Sequence, residues 1–131
     1  MAILVALDEK SKRTERVVNF SIEEAKLRKE KLFFVHSLFG GERTEQKEID
    51  AGEELLEWAE ETAKKAGVDC ETRLLVRGKE AAEDIVEFAN EIKASMIVIG
   101  VRKRRPTGKV LFGSVAQDVI LNASQPVICI K

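Results

Sequence analysis

The chain has 131 residues, 44% hydrophobic and 34% charged, with a formal net charge of −1. That length fits one domain, residues 1–131, around a single sizeable core, and the composition is that of a soluble globular protein rather than a disordered one. The charge balance argues against a broadly basic nucleic-acid binder, no apolar run approaches the roughly 20 residues of a membrane helix, and two cysteines outside any CxxC pair make no disulfide scaffold.

The N-terminal "MAILVALDEK" has neither a basic leader region nor a small-residue cleavage site. Residues 2–7 therefore read as a buried strand, and the protein as cytoplasmic. A helix follows, with Val18, Ile22 and Ala25 at i, i+4 and i+7, then a second strand, "KLFFVHSL", at 31–38. The Gly-rich "FGGERTEQ" at 39–46 is expected to be a mobile loop. Gly52, Leu55, Leu56, Ala59, Ala63 and Ala66 mark one face of a second helix that stops at Gly67, a C-cap position. "CETRLLV" (70–76) is the third strand. Ala82, Ile85, Val86, Ala89 and Ile92 define a third helix, and "SMIVIG" (95–100) a fourth strand. Val115, Ala116, Val119, Ile120 and Ala123 define the last helix, ended before Pro126, and "PVICIK" (126–131) closes the pattern. Cys129, in that strand, reads as an ordinary core residue.

Strand and helix alternate nine times. The first, fourth and fifth strands are almost continuously apolar, as strands buried on both faces are. Right-handed crossovers turn this order into a three-layer open α/β sandwich, a five-stranded parallel sheet with helices on both faces. In such a sheet ligands bind beyond the C-terminal strand ends, where successive strands diverge to opposite sides of the first. The ends to inspect are "LVALD" of the first strand and "VIG" of the fourth.

The fourth strand runs into "GVRKRRPTGKVLFGSV" (100–115). Residues 92–117 hold six basic side chains (Lys93, Arg102, Lys103, Arg104, Arg105 and Lys109) and no acid, so the rest of the chain carries −7. Gly100 lets the backbone leave the strand without a side chain blocking the crevice. Gly113 and Ser114 open the last helix, whose first N–H groups form an anion site that a glycine lets a phosphate approach. The plainer reading makes Gly113 a turn residue, Ser114 an ordinary N-cap and Arg102–Arg105 a solvated loop. "TGKV" is no Walker A, lacking Ser or Thr after the lysine, and no GxGxxG follows any strand.

The spacing Gly100-x2-Lys103-x9-Gly113-Ser114 resembles the nucleotide motif G-x2-G-x9-G-S/T of the universal stress protein family. "ILVALD", "FFVHSL", "MIVIG", "GSVAQDVI" and "QPVICIK" extend the likeness over nearly the whole chain. The resemblance implies an adenine nucleotide alpha hydrolase-like fold. That family has an ATP-binding branch and members that lack the motif. In the binding branch the first strand's end frames adenine, the second strand's end supplies an apolar wall, and the motif wraps ribose and phosphates. Carried over, this implicates Ala6, Leu7 and Asp8, then Ser37, Gly100, Gly113, Ser114 and Val115. The ligand would be ATP or a related adenine nucleotide, with or without Mg²⁺. Lys103 stands where the pattern has its second glycine. It obstructs the ligand if that position needs a bare or left-handed backbone, and otherwise offers its ammonium to a phosphate.

Asp8 also suits a turn or a cap on the first helix. His36, the only histidine, reads as structural, and Trp58 as a packing or rim residue. The last strand is short and apolar, an association hazard at an edge unless covered; the resemblance implies a homodimer formed through residues 126–131. Apart from Asp8 no acid lies near the motif, so the chain reads as a regulatory binder rather than an enzyme, with slow ATP hydrolysis the most catalysis would amount to. A nucleotide-free dimeric interaction protein of the same fold is the alternative.

Overall fold

The computed structural model describes residues 1–102 and 112–131. Within them lie five parallel strands, β1 (Ala2–Ala6), β2 (Lys31–Leu38), β3 (Cys70–Val76), β4 (Met96–Gly100) and β5 (Val127–Ile130), in the order β3-β2-β1-β4-β5. The helices are α1 (Lys12–Arg28), α2 (Gln46–Lys65), α3 (Ala81–Glu91) and α4 (Ser114–Asn122). β1 and β4 pair with each other, Ile3 opposite Met96 and Ala6 opposite Ile99, and β1 pairs on its other side with β2. Their unbroken apolar character follows from having a neighbour on both edges and a helix layer on both faces.

The two-residue period of a strand sends successive side chains to opposite faces. Ile3 and Val5 pack with Val17, Val18 and Ile22 of α1 and Leu55, Leu56 and Ala59 of α2. Leu4 faces the other way, with Ile85 and Phe88 of α3 and Ala116 and Val119 of α4. The result is the expected three-layer α/β sandwich. No helix of the described residues is long and apolar enough to cross a membrane.

Local signals account for the helix ends. Ser11 caps α1, its hydroxyl accepting from the Thr14 N–H at 3.2 Å. Glu45 and Glu48 form a capping box on α2. Beyond its C-cap, Gly67 takes φ +78°, a left-handed conformation that suits glycine.

Four expectations need correction. Residues 39–46 are not a bare loop: Gly41–Arg43 make a one-turn 3-10 helix, the Gly40 N–H donates to Thr44 Oγ1 at 2.8 Å, and Arg43 stacks on Phe39 at 3.7 Å and pairs with Glu80. The buried face of α3 centres on Ile85, Phe88 and Ala89, with Val86 only half-buried. In α4 Ala116 and Val119 are buried, but Val115 and Ile120 are exposed: among the described residues, the core packed against α4 lies on the side facing α3 and the sheet. Cys129 is exposed rather than a core residue, since β5 has β4 as its sole strand neighbour; the buried thiol is Cys70.

Candidate functional site

β1 leads through α1 to β2 on one side, whereas β3 leads through α3 across to β4 on the other. The crevice beyond their C-terminal ends is thus the topological switch point of the sheet. A cavity of about 300 Å³ opens there, lined by Ala6, Leu7 and Asp8 of the β1 end, His36 and Ser37 of β2, Ala81 and Ile85 of α3, Gly100 of β4, and Val115 and Ala116 of α4. A second cavity, also about 300 Å³, shares Asp8, Gly100, Val115 and Ala116 with it and adds Arg102, Gly113 and Ser114. Each falls at the low end of the range for small-molecule sites. All the sequence-derived site residues but one line these joined cavities; Lys103 lies outside the described residues.

The two cavities differ in character. The first is mostly walled by aliphatic carbon, with Ser37 as its hydroxyl-bearing side chain. The second opens at the start of α4. There the N-cap is Gly113 and Ser114 is the first helical residue, so the plainer reading of Ser114 as the N-cap does not hold. Gly113, having no side chain, supplies no capping oxygen to the helix's first N–H groups. Nor is it a left-handed turn residue: its φ is −64°, and a Cβ there would meet nothing within 4 Å among the described residues. Among the described residues, neither the backbone nor packing requires a glycine at 113.

Gly100 has a different explanation. A Cβ on it would lie 3.1 Å from Arg13 Nε and 3.2 Å from Arg13 Cδ, so the bare strand end lets the Arg13 side chain lie across it. Arg13 reaches on to Asp8, Nη2 to Oδ2 at 3.3 Å, and the other Asp8 oxygen accepts the Glu9 N–H at 2.7 Å. Asp8 Oδ1 also lies 3.5 Å from Thr14 Oγ1 in the first turn of α1, while the N-cap of that helix is Ser11. The Asp8 carboxylate is 60% exposed and open to a further partner. Arg102 pairs with Glu9.

His36 Nδ1 lies 2.7 Å from the Leu7 carbonyl. A carbonyl only accepts, so the proton sits on Nδ1. The Leu7 N–H in turn donates to Val35 O at 2.9 Å. His36 is thus a positioning residue for the end of β1, consistent with its structural reading. Trp58 packs against the α1/α2-side core and lines a separate crevice, as a rim residue would.

Four partners escaped the sequence reading. Asp84, fully buried in the first turn of α3, accepts from Ser37 Oγ at 2.8 Å and from Arg77 Nε at 2.6 Å. Arg77 is bound at its other end too, Nη1 to Glu91 at 2.7 Å. The Glu91 hydrogen bond most of all, with Asp84 adding to it against the cost of burial, pushes the Arg77 guanidinium above its usual range. Asp84 stands one turn before the buried Phe88, and an acid on that face was the signal available. Arg13 carried none, because only the sheet brings it to Gly100. Among the described residues no group of three or more His, Cys, Asp or Glu side chains is placed to hold a metal ion.

The geometry has close counterparts. The model of the universal stress protein family matches residues 1–131. The structure of a universal stress protein from Archaeoglobus fulgidus shares 56% identity and superposes with a TM-score of 0.94, covering 100% of this chain and 98% of that one. A structure of the universal stress protein from the same organism in complex with dAMP is 52% identical, with a TM-score of 0.89 over 100% of this chain and 98% of that one. A universal stress protein of Mycolicibacterium smegmatis is 34% identical over 114 residues, 87% of this chain and 85% of that protein. A parallel sheet ordered 3-2-1-4-5, a cavity at its switch point and these likenesses along the full length agree: the chain belongs to the universal stress protein family.

Proposed function

We propose that this protein is a cytoplasmic regulatory module that binds an adenine nucleotide, ATP or a related one, across the two joined cavities. The observation that carries the reading is their division of labour. An apolar chamber sized for a purine adjoins a polar one at the mouth of a helix whose N-cap is a glycine. In this reading Ala6, Leu7 and Ser37 border the base. The exposed Asp8 carboxylate receives a ribose hydroxyl, and the first N–H groups of α4, at Ser114 and Val115, take a phosphate, favoured by the helix dipole. A Mg²⁺ ion would enter with the phosphate chain of a triphosphate. That a 52% identical relative was solved in complex with dAMP supports an adenine nucleotide as ligand. The reading is of binding rather than turnover: among the described residues Asp8 is the one acid lining the joined cavities, and it is tied to Arg13.

Calorimetric titration of the purified protein with ATP and Mg²⁺, and separately with AMP, tests this. Binding in the micromolar range, corresponding to about −8 kcal/mol, is expected for at least one of them. Lys103→Gly run alongside tells whether the lysine contributes: weaker binding assigns its ammonium to phosphate, stronger binding makes it an obstruction. Absence of binding in both the parent and Lys103→Gly would leave the second reading, a nucleotide-free interaction protein.

A specific feature favours self-association in either case. β5, "VICI", is an edge strand with no charged residue, its side chains half-buried or exposed. Pairing with a second copy would cover it. Light scattering on the parent and on Ile128→Lys should read dimer and monomer respectively.

A further inference from the structure

The family resemblance implies an apolar wall at the end of the second strand, yet this chain puts a hydroxyl there. We infer that Ser37 selects the base, favouring a purine with a 6-amino group over one without it, because the buried Asp84–Arg77 pair dictates which way its hydroxyl proton points. This inference rests on the nucleotide reading above and names what decides its base.

A serine hydroxyl has a single proton and two lone pairs, and a carboxylate engaged by an arginine only accepts. Asp84 Oδ1 receives Arg77 Nε at 2.6 Å and Oδ2 lies 2.8 Å from Ser37 Oγ, so Ser37 must be the donor. Asp84 is wholly buried, and Arg77 is anchored on its far side by Glu91 and by a 3.3 Å bond to the Asp84 carbonyl. The carboxylate therefore has little freedom to turn away. Ser37 shares the strand face of Phe33 and Val35, the face covered by α3, and it lines the first cavity. With its proton committed to Asp84, it offers that cavity lone pairs only. The exocyclic amine of adenine supplies a matching donor, whereas a purine without the amine leaves the lone pair unmet. A 6-oxo group there sets acceptor against acceptor.

The test uses the full chain and three ligands: AMP, the purine ribonucleoside monophosphate that lacks only the 6-amino group, and IMP. The parent is expected to bind AMP about tenfold more tightly than the deamino analogue, the worth of one partly buried hydrogen bond. Ser37→Ala should shrink that gap to about twofold while leaving the analogue's affinity nearly unchanged. Asp84→Asn goes further. The introduced amide keeps its oxygen on Arg77 and gives its N–H to Ser37, turning the hydroxyl proton into the cavity, so IMP should gain on AMP by about tenfold. Should that variant fail to fold, Ser37→Ala decides alone. AMP binding with no preference for the amino group, or a preference that survives Ser37→Ala, overturns the inference and leaves the nucleotide reading standing. No binding of any nucleotide overturns both.

Discussion

Two crevices open beyond the strand ends of this sheet, parted by His36 and both touching Asp8. One, on the α3/α4 side, measures about 300 Å³; the other, on the α1/α2 side, about 270 Å³. Size does not separate them, nor does their position at the C-terminal edge of the sheet. Chemistry does. The α3/α4-side crevice has Asp8 as its sole acid among the described residues, a hydroxyl whose direction is set, and continuity with the open start of α4. The α1/α2-side crevice is bordered by Asp8, Glu9 and Glu54, and its aromatic surface, Trp58, already holds the Lys10 ammonium 5.1 Å from its ring centroid. A phosphate entering there would meet three carboxylates. Topology nominates the edge of the sheet, and charge and helix polarity make the α3/α4-side crevice the one suited to an anion.

The largest test of this contrast removes the support of the favoured crevice. Arg77→Leu would strand Asp84, with no exposed surface, without its cation, and should lower stability by about 3 kcal/mol or more in a denaturant titration. A smaller loss would mean that Ser37 and the helix backbone suffice to hold that carboxylate. Next comes Gly113→Asp. A carboxylate at the N-cap suits a helix, so the melting temperature should hold or rise. It would also put negative charge where the phosphate is expected, and nucleotide affinity should fall about 100-fold, close to 2.7 kcal/mol. Equal affinity in the variant would move the anion site away from α4.

The partition itself can be perturbed. A Cβ at Gly52 would lie 2.7 Å from His36 Cδ2 and 3.0 Å from Leu74 Cδ1. Gly52→Ala should therefore cost about 1 kcal/mol net, the overpacking outweighing the gain in helix propensity. Heteronuclear NMR should show the disturbance spreading through the His36–Leu7 bond into the α3/α4-side crevice. The smallest effect belongs to the other side. Trp58→Ala should leave nucleotide affinity within about twofold of the parent, less than 0.5 kcal/mol. A larger loss would place the ligand in the wrong crevice and break the comparison.

Much of the fold was legible because its signals are local. Residues 2–7 and 96–99 are apolar without interruption, Gly67 marks a helix end, and the four helical stretches repeat at i, i+3 and i+4, whereas the Ser11 cap and the Glu45–Glu48 capping box were local signals left unread. The residues around the switch point, Ala6 to Asp8, Ser37, Gly100 and Gly113 to Val115, were found through the motif and the strand ends together. Where the reading went astray, the missing information was non-local. Val115 and Ile120 satisfy helical periodicity, yet they lie off the side of α4 that faces α3 and the sheet and stay exposed. Cys129 sits in an apolar run, but its strand is an edge.

By itself the sequence determined the periodicities, the breaks between them and hence the alternation of strand and helix, since these follow from backbone geometry within a few residues. Strand order, the face each side chain takes and the pairing of Arg77 with Asp84 and Asp84 with Ser37 across 47 positions were decided only by tertiary packing. A buried carboxylate must find donors wherever the fold brings them, and nothing local to Asp84 says that one of them will be the hydroxyl lining a ligand cavity.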